Sequence, residues 1–409
     1  MRTGWPLKSV SEIATHSLGK MLDKTKNKGD PKPYLRNFNV RWFDFDLSDV
    51  QEMRFQKEEQ DRYSVVKGDL VICEGGYPGR AAIWDQDESV YFQKALHRVR
   101  FHEPARARWL LYYLYMKDLD GSLKSHFNGT GIQHFTGEAL AQFKMPLPPL
   151  ADQRRIVAIL DEAFDGIAAA KANAEKNLQN ARAIFESQLQ FVFSQRGDGW
   201  LEKRLGDVVT RLTNGYVGPT RNIYCDSGVP YLLARHVKNN RLMFDRRTFI
   251  SDVFNQKHRK SMLKVGDVLL VQSGHIGHSA VVPKEHEGHN CHAMIVISPI
   301  ESAASGSFLS LYFNSPEMRR RFEKIRSGST VPHLTCKEVK ELRIALPDLA
   351  IQLCVVKNAE DLQKNTERLE FIYERKIAAL DALKQSLLHR AFAGELTADK
   401  MSELIEAVA

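Results

Sequence analysis

The sequence contains no run of about 18 apolar residues, the length that a membrane-spanning helix needs. Its first ten residues carry Arg2, Trp5 and Lys8 with no apolar stretch behind them. Neither a membrane span nor a secretory signal is expected, and the protein is expected to be cytoplasmic. Cysteine is scarce: Cys73, Cys225, Cys291, Cys336 and Cys354 are odd in number and never spaced as C-x-x-C. That excludes a disulfide framework and an ordinary zinc ribbon, and reduced thiols are the default. No G-x-x-x-x-G-K-[ST] loop is present, so ATP binding by this chain is not expected. No N-P-P-Y-type tetrapeptide occurs; "NSPE" at 314–317 reads as a helix start, with Ser315 as cap and Pro316 at the first helical position. Nuclease-like acids are in the wrong order, with "EVK" at 338–340 ahead of "PD" at 347–348.

Two motifs imitate chemistry. "FNGTG", Phe127 to Gly131, matches the F-x-G-x-G loop that holds S-adenosylmethionine, but a helix-like stretch precedes it where a buried strand should. Its counterpart "IRSGST" at 325–330 lacks the second glycine, which a cofactor-contacting loop would require. "HIGHSAVVPKEHEGHNCH" offers His275, His278, His286, His289, Cys291 and His292 at spacings compatible with zinc. Strand alternation scatters them over both faces, so they read as surface and loop histidines.

What is present is 409 residues with 43% hydrophobic and 26% charged content. That suffices for two or three cores. The net charge of +8 divides unevenly: +3 over residues 1–150, −1 over 151–199, +9 over 200–346 and −3 over 347–409. Basic blocks joined by mildly acidic segments suit domains that touch a polyanion; ordinary solvated lysine is the alternative.

The chain repeats itself. Trp5 in "WPLKSVSEIA" matches Trp200 in "WLEKRLGDVV", "PYLRNFNV" from Pro33 matches "PYLLARHV" from Pro230, and "KGDLVICEGGYPGRAAIW" from Lys67 matches "VGDVLLVQSGHIGHSAVV" from Val265. From "GTGIQHFT" at Gly129 and "GSTVPHLT" at Gly328 the offset stays at 199 through Gln153/Gln352 to Phe193/Phe392. A stretch without length change is one whose register matters, as in paired long helices. Residues 152 to about 194 and 350 to about 392 are read as those helices. Apolar residues step by three or four through Ile156, Leu160, Ala163, Ile167, Ala170 and Ala174, and again through Val355, Ala359, Leu362 and Leu369. No proline occurs between Pro149 and Pro219 or after Pro347. A rod of roughly 60 Å with one apolar stripe needs a partner, and the other copy is the nearest. Separate helical domains or a parallel intermolecular coiled coil are the alternatives.

The intervening blocks read as mixed α/β. Short strands are expected at 69–74, 80–84, 267–272, 279–283 and 293–298, followed by helices at 108–119 and 307–325. The order suggests a curved, mostly antiparallel sheet.

These features resemble a known family. Two units, each with a "GD…(S/G)G…G" strand-turn-strand, a "G-(S/T)-x-x-x-H-(L/F)-T…P" loop and a "PLPPLADQRRIVAILD"-type helix start, are similar to the DNA specificity subunit of type I restriction-modification systems. The resemblance implies an α+β fold with two globular mixed α/β target recognition domains in tandem repeat, separated by a pair of long antiparallel helices (a coiled coil), with pseudo-two-fold symmetry. The implied boundaries are 1–149 for the first recognition domain, 150–196 for the central spacer helix, 197–348 for the second domain, and 349–409 for the distal spacer helix and C-terminal tail. It implies a non-catalytic subunit that reads a bipartite asymmetric site in double-stranded DNA. Two methyltransferase subunits and the restriction/translocase subunits would be its partners, and S-adenosylmethionine, ATP and Mg would sit on them.

Under that resemblance the DNA-binding candidates are Lys24, Lys26, Asn27, Lys28, Arg36, Asn39, Arg41 and the turn "GGYPGR" ending at Arg80 in the first unit. In the second they are Arg221, Arg235, His236, Lys238, Arg241, Arg246, Arg247, Ser273 and His275. Asp152, Gln153, Ile156, Gln352 and Val355 are the partner-binding candidates at the helix starts. The second start reads "LPDLAIQLCV", with Ile351 where Asp152 stood. It is expected to lose up to about 1 kcal/mol of helix-dipole stabilisation. A coiled-coil adapter whose globular units bind peptide or RNA is the competing reading, and a free-standing methyltransferase a third.

Overall fold

The computed structural model describes residues 4–23, 25–197, 199–238, 240–245, 247–328 and 332–396. They divide into two compact units, one containing the chain up to Asn173 together with residues from Arg375 on, the other Ala174–Glu374.

In the first unit, strands Ala14–Leu18, Leu96–Phe101, Leu70–Cys73 and Ala81–Ile83 pair antiparallel in that spatial order. Leu70–Cys73 is buried at every position, so its sequence LVIC carries no alternation. A second sheet orders Gln51–Phe55, Asp30–Leu35, Val90–Phe92 and Ser64–Val65. Its one parallel pairing joins Tyr34 to Tyr91 and Leu35 to Phe92. Helix Arg106–Leu119 buries Trp109, Leu110, Leu111 and Tyr112 in the core, and the Trp109 indole N–H donates to the Pro146 carbonyl at 2.8 Å.

The second unit repeats both sheets: Val209–Asn214, Met294–Pro299, Val268–Val271 and Ser279–Val281 in one, Tyr224–Cys225, Phe249–Ile250, Val229–Leu232 and Asn290–Cys291 in the other. The single curved sheet expected from sequence is therefore two four-stranded sheets in each unit. The helix expected over 307–325 breaks into Gly306–Asn314 and Pro316–Ile325, because Ser315 leaves the helix and its hydroxyl accepts the Met318 N–H.

The recurring Gly-Asp pairs have a structural cause. Asp69 and Asp267 are each 2% exposed, and each accepts the backbone N–H three residues earlier, Val66 and Lys264, at 2.8 Å. Each also needs a cation, and the two copies supply it from opposite sides of one strand pair. Arg100 binds Asp69 through Nε and Nη2, both at 2.7 Å, with Thr15 across the ladder. Arg211 binds Asp267 with Ser298, the repeat equivalent of Arg100, across from it. The arginine has changed strands while the buried pair has been kept.

Two long helices run Leu150–Gln195 and Leu349–Phe392, about 69 and 66 Å at 1.5 Å per residue. Each unit takes the start of one and the end of the other. In the first unit, Ile156, Leu160 and Phe164 share a core with Leu388, Ala391 and Phe392, and the Phe392 ring lies 4.6 Å from Trp109 and 5.0 Å from Tyr113. In the second, Val356 and Ala359 share a core with Leu189 and Phe193, and Phe193 stacks on Tyr312 at 4.7 Å and meets Phe308 at 5.5 Å. The helices are antiparallel in both. Lys171 pairs with Asp381 at 2.7 Å in the first unit, while Arg182 reaches Glu370 and Glu374 at 3.2 and 2.9 Å in the second. These exposed ion pairs set register more than stability, being worth at most about 1 kcal/mol each.

The copies differ where the globular part meets its helices. Phe43 packs on Tyr112, Tyr115 and Phe164, and the Lys384 ammonium lies 4.5 Å from the Phe164 ring centre. In the second unit the equivalent positions are Asn240, Leu311, Asn314 and Gln363. The Asn240 amide oxygen accepts from Ser310 and Asn314 at 3.1 and 2.6 Å, beside a cavity of about 290 Å³.

Candidate nucleic-acid interface

In the first unit three loops are fastened together. The turn "CEGGYPGR" reverses between Leu70–Cys73 and Ala81–Ile83, with Gly76 and Gly79 at φ of 76° and 85°, where a side chain would be strained. The Asn37 amide donates to the Gly75 carbonyl at 3.1 Å, and Arg80 Nη2 donates to the Asn37 carbonyl at 2.9 Å. A narrow hairpin closes through reciprocal Asn128 and His134 backbone bonds of 2.8 Å, and the Phe135 N–H ties it to the Glu74 carbonyl at 2.7 Å. The "FNGTG" motif lies at this hairpin, so its glycines serve a turn. The clamped loops expose Phe38, Tyr77 and Ile132; the guanidinium groups of Arg36 and Arg41 lie by the Phe38 ring and that of Arg80 by the Tyr77 ring.

The second unit repeats the clamped turn and hairpin, while Ala234 and His278 stand where Asn37 and Arg80 fasten the first loop. Gly277 N–H bonds to the Val271 carbonyl as Gly79 does to Cys73, Ser327 and His333 exchange backbone bonds of 2.9 Å, and the Leu334 N–H ties to the Gln272 carbonyl. Arg235 stands at the position of Phe38 and His275 at that of Tyr77, both exposed.

The sequence matches the model of a protein family, the type I restriction modification DNA specificity domain, twice, over residues 3–179 and 197–377. The chain belongs to this family. It is 22% identical over 421 residues to the type I restriction enzyme EcoBI specificity subunit of Escherichia coli, covering 97% of this chain and 86% of that one. It is 21% identical over 434 residues to the EcoKI specificity subunit of Escherichia coli (strain K12), covering 98% and 91%. In fold it is similar to the HsdS subunit from Thermoanaerobacter tengcongensis, with a TM-score of 0.63 at 20% identity over 97% of this chain and 98% of that one. It is also similar to a chain from work on complex assembly and conformational transition of the type I R-M system, with a TM-score of 0.74 at 20% identity over 96% and 98%. Specificity subunits are the non-catalytic parts of type I restriction enzymes.

Within this specificity subunit, the residues singled out from sequence separate by burial. Lys26, Lys28, Arg221, Lys238 and Arg247 are exposed and Arg80 is half-buried; of these, only Lys26 has a carboxylate within reach among the described residues, Asp23 at 3.7 Å. These remain available to phosphate. Arg36 and Arg41 are spent on Asp49 and Asp46 at 2.7 and 3.1 Å and brace their loop. Arg241 pairs with Glu367 of the second long helix at 2.9 Å. Lys24 and Arg246 lie outside the described residues.

Two candidates are corrected. Asn39 and His236 are fully buried and hold equivalent loops from inside. Asn39 Oδ1 accepts the Arg36 N–H at 2.9 Å while its amide donates to the Asp46 and Asp49 carbonyls. His236 Nδ1 accepts the Leu233 N–H at 3.1 Å. Neither can present itself to a base edge in this conformation.

The partner-binding candidates also need correction. Gln153 and Gln352 are buried and cap the prolines ahead of them, donating to the Pro148 and Pro347 carbonyls at 2.7 and 2.9 Å. Gln352 additionally accepts the Ser305 N–H at 2.9 Å. Ile156 is fully buried and Val355 packs against the second core. Only Asp152 of this group is half-exposed and unburdened by packing. The second helix start does not lack an acid either: Asp348 Oδ1 accepts the Ile351 N–H at 2.9 Å, an N-cap that offsets the loss of an acid at 351.

No group of three or more potential metal ligands occurs among the described residues. His286 and His289 face one another through Nδ1 at 3.1 Å, and burial lowers the pKa of both. His278 is pushed down to about 4 by burial and by the Arg319 charge. Cys73 and Cys291 are buried, and burial pushes them up to about 11 and about 12, so they persist as thiols. Sequence reading reached Tyr77 only as part of the turn "GGYPGR" and missed Phe38 and Ile132, because exposure of an apolar side chain leaves no mark in composition. Inside the "PYL…V" frame Phe38 falls opposite Arg235, but Arg36/Leu233, Asn37/Ala234 and Asn39/His236 differ as well, so the mismatch does not single it out.

Proposed function

We propose that each globular unit reads one half of a bipartite, asymmetric duplex-DNA target, that the long helices set the unread gap, and that the chain docks two methyltransferase subunits and the restriction/translocase subunits. S-adenosylmethionine, ATP and Mg belong to those partners on this reading. The observation that carries it is the duplicated turn and hairpin, clamped by the same backbone bonds in both units and bearing different exposed side chains in each copy. Two readers built alike but differently tipped suit a target whose halves differ. Lysines and arginines at the loop margins would neutralise phosphates, and the loop tips would meet base edges.

The test is exchange of residues 200–346 for the corresponding segment of another specificity subunit, retaining Trp200, Phe308 and Tyr312 against Phe193. Methylation by the assembled complex should change in one half of the target only. Unchanged specificity, or loss of both halves in a folded complex, would sink the assignment.

A further inference from the structure

The two platforms carry different chemistry at equivalent points. Between Pro33–Val40 and Pro230–Val237 the frame holds at Tyr34/Tyr231 and Leu35/Leu232 and at the buried loop caps Asn39/His236, yet Phe38 falls opposite Arg235. In the glycine turns, Gly76 and Gly79 match Gly274 and Gly277, all four at positive φ, yet Tyr77 falls opposite His275.

Phe38 is 54% exposed, Tyr77 49% and Ile132 76%. Single exposed apolar residues are ordinary, but here three stand on three loops that are fastened to one another, and none of them is used by the core. Arginines support the rings: Arg41 lies 5.0 Å and Arg36 5.9 Å from the Phe38 ring centre, and Arg80 4.8 Å from that of Tyr77. Arg36 and Arg41 are already paired with Asp49 and Asp46, so their charges beside Phe38 are compensated. A phosphate gains little there, whereas an apolar group on a base loses only water. In the second unit Arg235 Nη2 donates to Thr248 Oγ1 at 2.7 Å, which orients the guanidinium on an exposed loop, and His275 is exposed on the turn. A guanidinium and an imidazole are both hydrogen-bond donors by type.

Resting on the DNA-reading function above, we propose that the two half-sites are read by different forces. Phe38 and Tyr77 read the first by van der Waals contact with thymine methyl groups, and Arg235 and His275 read the second by hydrogen bonds to guanine N7 and O6. The major groove displays both kinds of feature, and each matches one residue set.

Base-analogue interference tests this on the full-length protein assembled with its partner subunits. The duplex is the sequence the complex selects from a random pool, and the halves are assigned to units by the exchange of residues 200–346. Replacing thymine by uracil in the half read by the first unit should weaken binding about ten-fold, and replacing guanine by 7-deazaguanine in the other half should do the same. The Phe38→Ala, Tyr77→Ala variant should become indifferent to uracil while remaining sensitive to 7-deazaguanine. Arg235→Ala with His275→Ala should show the reverse. A first half without thymine, no uracil effect in it, or the same interference pattern in both halves overturns the proposal, and these outcomes are read on the unaltered protein whatever the variants' folding. Failure to select any sequence would instead overturn the DNA-reading function itself.

Discussion

Phe193→Ala probes how the chain closes its two cores. Phe193 sits at the end of the first long helix, is fully buried, and lies against Tyr312, Phe308 and Trp200. Removing a buried phenyl ring leaves a cavity that costs about 3–5 kcal/mol. Phe191, two residues earlier and 54% exposed, is the control; its loss should stay within about 0.5 kcal/mol. With two compact units a single melting transition does not isolate the effect, so amide hydrogen exchange by segment is the assay. Protection in Val268–Val271 and Met294–Pro299 should fall about 100- to 4,000-fold, at 1.4 kcal/mol per factor of ten. Leu70–Cys73 and Leu96–Phe101 should hold. Phe392→Ala should do the opposite, loosening the strands of the first unit although Phe392 is nearly 300 residues away in sequence from some of them. If Phe193→Ala loosens the first unit, or behaves like Phe191→Ala, the crossed sharing of helix ends is wrong.

Three other outcomes follow from the geometry. Arg211→Thr strips the cation from buried Asp267 and should cost about 3 kcal/mol in urea unfolding of the second unit; adding Ser298→Arg rebuilds the arrangement seen at Asp69 and should recover most of it. His97 is fully buried with Nε2 on the Phe135 carbonyl, and burial pushes its pKa down to about 4. The unfolded imidazole protonates near 6.5 while the folded one does not, so stability should fall as pH drops from about 6.5 to 4, by up to about 3 kcal/mol. His97→Gln should lessen that slope, to which His278, also pushed down to about 4, contributes as well, and an unchanged slope would reassign it. On the proposed function, four residues inserted after Asn180 together with four after Ile372 should lengthen the unread gap by about one or two base pairs, since one turn adds about 6 Å and each base pair about 3.4 Å. The first insertion alone should disturb the pairing of Arg182 with Glu370 and Glu374. A gap unmoved by the matched insertion would remove the helices' measuring role.

The long helices were legible because prolines mark their starts, none interrupts them, and their apolar residues repeat at three and four. Their burial partners were not. That Phe392 belongs with Trp109, and Phe193 with Tyr312, depends on which core each helix end reaches, and no local pattern carries that. The strand Asp30–Leu35 was missed because Pro31 and Pro33 argue against a strand. They are tolerated because only Tyr34 and Leu35 pair on the Val90–Phe92 side, leaving the prolines with a single neighbouring strand, Gln51–Phe55. At the interface, residue type pointed to Arg36, Asn39 and His236, but polar side chains on loops serve the loop as readily as a ligand. Burial alone separates Asn39, which braces a turn, from Arg80, which has no carboxylate partner among the described residues.

The central proposal, that two separate platforms read two separate blocks of sequence, is met most directly by sequencing the duplexes that the full-length protein, assembled with its partner subunits, retains from a random pool. Two short blocks of unlike sequence separated by a gap of constant length and random composition are the predicted result. One contiguous block, or no enrichment, would contradict it.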